Sequence, residues 1–83
     1  MKIEELVSLT NGLSVTACGQ TLVCDRTHVA AVPGGVDVKF LIAGTDVVPR
    51  LRLSEETLAR ATADDVAGIV GRVATRAIGC RSR

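Results

Sequence analysis

Few side chains in this sequence are placed to do chemistry. His28 is the only histidine, and a histidine base needs a nucleophile within hydrogen-bond reach and a third group to orient it. No Ser, Cys or Asp can be assigned to it from spacing, so it reads as a strand histidine beside apolar neighbours. Asp64-Asp65 is a carboxylate pair by position, but successive helical residues diverge by about 100° and cannot share a proton. They read as charges at a helix start, and Glu55-Glu56 reads the same way. Pro33-Gly34-Gly35 lacks the spacing, the lysine and the following helix of a phosphate-binding loop, and reads as a turn. Cys18, Cys24 and Cys80 have no metal-ligand spacing. The chain is therefore read as non-catalytic, with no cofactor, no metal and no small-molecule ligand.

The elements behind these residues come from size and periodicity. The 83 residues, 47% apolar and 23% charged, suit a single packed domain, because a disordered chain carries too few aliphatic residues to resemble this one. Phe40 is the only aromatic residue, so burial must come from many aliphatic contacts around it. Net charge is +1, which sets up no field favouring nucleic acid, an acidic partner or an anionic membrane. The excess of Arg over Lys fits GC-rich coding of the bacterial or phage kind. No run approaches the roughly 18 apolar residues of a membrane span, MKIEELV lacks the apolar stretch of a signal peptide, and reduced thiols fit best; a soluble, cytoplasmic protein is expected.

In residues 2–10, Ile3, Leu6 and Val7 take helical spacing, and Asn11-Gly12 is a stop signal. From Leu13 the period becomes two. Gly19-Gln20 is expected to close a two-residue hairpin that pairs Cys18 with Thr21, Ala17 with Leu22 and Val15 with Cys24. Pro33-Gly34-Gly35 is expected to form a three-residue loop pairing Val32 with Val36 and His28 with Phe40. A two-residue loop is the alternative, and it requires a bulge near Asp25. Gly44-Thr45 closes a third hairpin, pairing Val38 with Leu51, Val36 with Leu53 and Asp37 with Arg52 as a cross-strand charge pair. Pro49, placed at a non-hydrogen-bonded position, marks the last strand as an edge.

Ser54 caps an acidic turn that Leu58 anchors, and Thr62 opens the main helix, whose apolar stripe is Val66, Ile69, Val70, Val73, Ala77 and Ile78. Gly68 and Gly71 interrupt it, which close approach to the sheet would explain, and Gly79 ends it. The whole reads as one α+β domain over residues 1–83. It comprises a short N-terminal helix (2–10), a four-stranded antiparallel meander (13–53), a helical region packed on one sheet face (54–79) and a basic tail (80–83).

Function is expected to be protein binding. Under this register Val23, Val29, Ala31, Leu41 and Val48 point away from the main helix, and either the N-terminal helix or a partner covers them. Val23, Val29, Leu41, Val48, Arg50 and Arg52 are the expected interface, its occupant another protein or a second copy of the chain. The second reading is a nucleic-acid accessory protein contacting phosphates through Arg72, Arg76, Arg81 and Arg83. Those four would join Arg50 and Arg52 in one basic patch if the helix end lies beside the edge strand.

Overall fold

Three connections too short for a crossover force antiparallel neighbours, and the chain folds as that meander. The structure, a computed structural model, describes residues 1–79. The tail at 80–83, with Cys80, Arg81 and Arg83, lies outside the described residues. Helix α1 (Ile3–Thr10) precedes strands β1 (Ser14–Ala17), β2 (Gln20–Val32), β3 (Gly35–Ile42) and β4 (Arg50–Ser54); helices α2 (Glu55–Arg60) and α3 (Ala63–Ile78) follow. The sheet order is β1-β2-β3-β4.

The starts of α2 and α3 and the end of α3 follow their caps. Ser54 Oγ accepts from the Thr57 N–H at 3.1 Å. Thr62 and Asp65 form a reciprocal capping box, and Gly79 closes α3 in the left-handed region at φ 72°. All three helices lie on one side of the sheet. Leu6 of α1 and Val66, Val70 and Ala74 of α3 share one buried cluster with Val15, Leu22, Cys24, Val38, Phe40 and Ile42, and Leu58 of α2 packs against it. α1 therefore covers the same face as α3, and no helix among the described residues covers the outer face. Thr10, at the end of α1, is fully buried, and its hydroxyl has no hydrogen-bond partner among the described residues.

The first hairpin turns one position earlier than expected. Val15 pairs with Leu22 and Thr16 with Thr21, so Cys18-Gly19 forms the turn, with φ of 57° and 75°. Two positive φ values characterise the type I′ turn, one of the two turn types whose twist matches that of the flanking strands. The slip changes each pair by two residues, so Val15, Ala17, Leu22 and Cys24 still share the buried face. Cys24 is a buried free thiol, and burial pushes its pKa up. Cys18 is disulfide-bonded, which departs from the expectation of reduced thiols and removes that argument for the cytosol.

The second hairpin also departs from the expected three-residue loop. Val32 pairs with Gly35 and Val29 with Val38. Pro33-Gly34 is thus a two-residue turn with Gly34 at φ 83°, as a type II turn requires after proline. The change of parity is absorbed by a bulge between Asp25 and His28, with Arg26 at φ 49°. Two residues there face one on β3. Asp25 Oδ1 accepts from the Arg26 N–H at 2.8 Å, and Asn11 Oδ1 accepts from the Thr27 N–H at 2.8 Å, so the C-terminus of α1 holds the bulge.

The third register is the expected one: Val38 pairs with Leu51, Val36 with Leu53 and Asp37 with Arg52. Pro49 differs in its role. Its carbonyl accepts from the Phe40 N–H at 3.3 Å, so the two form a hydrogen-bonded pair in which Pro49 has no N–H to return. Regular strand accordingly starts only at Arg50. β4 is still an edge, as the last strand in the sheet order.

Close approach does not explain Gly68, since a Cβ there would meet nothing within 4 Å, and at Gly71 the nearest atom would be Val15 Cγ1 at 3.8 Å. Gly68→Ala is therefore expected to stabilise the domain by about 1 kcal/mol through helix propensity alone. That corresponds to a rise of roughly 4–8 °C in the thermal midpoint, measurable by circular dichroism. A fall in the midpoint would show that the position needs glycine.

Candidate functional site: the bare sheet face

The bulge decides what the outer face carries. Because Val29 and Ala31 pair with Val38 and Val36, they turn to the helix side, and Val29 packs against the core. His28 and Ala30 take their places outside. The expected apolar interface is thereby corrected: Val29 leaves it, and Val23, Leu41 and Val48 remain at one end of the face. Val23 and Val48 are 38% and 49% exposed and Leu41 is half-buried; the Ala43 N–H donates to the Val23 carbonyl at 2.9 Å, which ties β2 to the end of β3, and Val48 lies in the irregular segment before β4.

The rest of the face is charged. Register sets Lys39 between His28 on β2 and Arg50 on β4, a cross-strand row of two permanent cations and one titratable ring. In the next row Asp37 lies between Ala30 and Arg52. Arg52 Nε donates to Asp37 Oδ1 at 2.8 Å, and this hydrogen bond holds the Asp37 carboxyl below its usual range while raising the Arg52 pKa. Arg52 is thus matched. Lys39 and Arg50 form no ion pair among the described residues, although the Arg50 charge also helps to hold the Asp37 carboxyl down. Like charges directly opposite across a ladder destabilise a sheet. The two rows line a shallow hollow of ≈ 430 Å³ over the twisted sheet.

The arginines do not merge into one patch. α3 packs along β1, and Arg72 and Arg76 line a groove with Ser14 and Thr16 at that edge. Arg50 and Arg52 lie on β4, three strands away. Among the described residues no group of three His, Cys, Asp or Glu side chains converges as a metal site, and no helix is long and apolar enough to cross a membrane. Periodicity alone did not reveal the His28–Lys39–Arg50 row; the signal that finds it is the Pro-Gly pair, whose turn type sets the register.

No protein-family model, no curated protein and no solved structure matches this chain.

Proposed function

We propose that the domain is a non-catalytic binding module whose outer face and β4 edge receive an extended, acidic segment of another protein. What supports this is the cross-strand pair Lys39 and Arg50, two like charges side by side next to an open strand edge, whose nearest carboxylate, Asp37, is already hydrogen-bonded to Arg52. Because Phe40 and Ile42 direct their N–H groups to β4, alternation turns the N–H and C=O groups of Arg50 and Arg52 away from β3, where no strand stands among the described residues. A strand added there gains main-chain hydrogen bonds, and an acidic side chain opposite Arg50 relieves the repulsion from Lys39. The exposed Val23 and Val48 at the end of the face suit an apolar flanking residue.

Nucleic acid is the second reading, favoured by the same cationic row. Against it, base stacking needs an exposed aromatic ring, and Phe40 is completely buried. Two-dimensional NMR of the labelled domain discriminates between the readings. An extended peptide alternating valine with glutamate is expected to shift the amides of Arg50, Arg52 and Lys39, and Arg50→Glu is expected to abolish those shifts with the rest of the spectrum intact. Larger shifts with a single-stranded thymidine oligonucleotide would transfer the site to nucleic acid. Absence of shifts with both probes would remove it.

A further inference from the structure

We infer that the chain forms a two-fold dimer by pairing β2 with β2 of a second copy, centred on Ala30. β2 is longer than the strand beside it. β1 pairs with it only as far as Val23, Leu13 and Gly12 extend the pairing to Cys24, and Asn11 occupies the Thr27 N–H. Beyond that point His28 to Val32 have β3 on one side and no strand on the other among the described residues. Ala43 donates to Val23 while Phe40 and Ile42 donate to the β4 side, so odd-numbered β3 residues address β2. His28, Ala30 and Val32 therefore bond to β3, and Val29 and Ala31 direct their N–H and C=O groups off the edge.

Within its five residues this edge carries neither a formal charge with histidine neutral nor a proline, although a bulge precedes it and Pro33 follows it. Exposed strand edges in soluble proteins are blunted by charge, proline or cover. β4 has Arg50, Arg52 and Pro49, and two β4 strands brought together would oppose arginine to arginine on the same face. The two edges thus select different occupants: β4 repels its own copy, whereas β2 does not.

Only one two-fold register uses every free group. With Ala30 opposite its symmetry mate, Val29 pairs with the partner's Ala31 and Ala31 with the partner's Val29, giving four N–H···O=C bonds. Moving the axis to Val29 sets Ala31 opposite Thr27, whose N–H is already taken by Asn11. Moving it to Ala31 sets Val29 opposite Pro33, which has no N–H. At the axis the two Ala30 residues form a non-hydrogen-bonded pair, the closer kind, with Cα atoms about 4.5 Å apart, and alanine fits that spacing. Such an interface is isologous, as closed dimers require.

Sedimentation equilibrium over a concentration series is expected to show reversible approach to twice the monomer mass. Ala30→Lys is expected to hold the protein monomeric, because it brings two ammonium groups together at the axis while each still faces its own Asp37 across β3. Circular dichroism checks that this variant keeps its fold. Ala30→Cys is expected to crosslink into covalent dimers under mild oxidation, several-fold faster than Ala31→Cys, a rate difference a merely sticky surface would not produce. A monomer at every concentration, a dimer surviving in folded Ala30→Lys, or equal crosslinking at the two positions would each overturn the inference. β4 plays no part in these readouts, so peptide binding and dimerisation stand or fall separately.

Discussion

Phe40→Ala is expected to lower stability by about 3–5 kcal/mol, the range for deleting a buried aromatic side chain. A domain of this length has roughly 4–12 kcal/mol in total, so a substantial unfolded fraction is expected at room temperature. Phe40 is completely buried and is the largest of the fully buried side chains. It stands at mid-sheet opposite the two bulged residues of β2, and its own N–H is bonded to Pro49. The surroundings therefore have little freedom to collapse into the space: a bulge pinned by Asn11 flanks it on one side and a proline on the other. Phe40→Leu should recover most of the loss, since it restores apolar volume at the same point. Urea denaturation of both variants measures the difference. A midpoint for Phe40→Ala close to that of the parent would mean that the core is not organised around this ring.

Gly35→Ala is the second large effect, and it arises from backbone rather than from a cavity. A Cβ at Gly35 would collide with the Leu53 carbonyl oxygen and lie 2.9 Å from Ser54 Cα. Neither atom belongs to a side chain that can rotate away. β3 and β4 must then separate where β4 gives way to α2, a junction also tied by the Glu55 N–H donating to the Gly34 carbonyl at 3.0 Å. Overpacking of this kind costs about 1–3 kcal/mol and more where backbone has to move; about 3 kcal/mol is expected here. Gly34→Ala makes the informative comparison. Gly34 has open space around it but a φ of 83°, so only left-handed strain applies, about 1–2 kcal/mol. Thermal melts should rank Gly35→Ala below Gly34→Ala, and the reverse order would refute the close approach of the two strands.

Much of the architecture was legible in the residues. The stripe of α3, the caps at Ser54 and Thr62, the Gly79 terminus and the β3–β4 register each rest on a local rule and a non-local one that agree. Val36, Val38, Phe40 and Ile42 meet Leu53, Leu51, Pro49 and Val47 in the pairing that also joins Asp37 to Arg52. The other two hairpins separate those rules. At Cys18-Gly19 a two-residue slip leaves the apolar face unchanged, so alternation has no power to choose the turn. At Pro33-Gly34 keeping one parity along β2 favours a three-residue loop, whereas proline followed by glycine favours a type II turn, and the turn prevails because a bulge can absorb the mismatch. The candidate site was less legible for that same reason. His28 and Ala30 exchange faces with Val29 and Ala31 once the bulge is in place, and the middle of the face loses its aliphatic character while His28 joins the row of Lys39 and Arg50. The position of α1 was open as well, since two helical turns reveal an apolar side without naming the surface that receives it.

A sheet whose helices, among the described residues, all lie on one side divides its residues into two nearly independent sets. Positions 28, 30, 37, 39, 50 and 52 form a checkerboard over three adjacent strands that takes no part in the buried cluster. New recognition chemistry can be written onto those six squares without redrawing the interior. The domain thus offers a natural scaffold for combinatorial display, in which a randomised library should keep its shape while its specificity drifts.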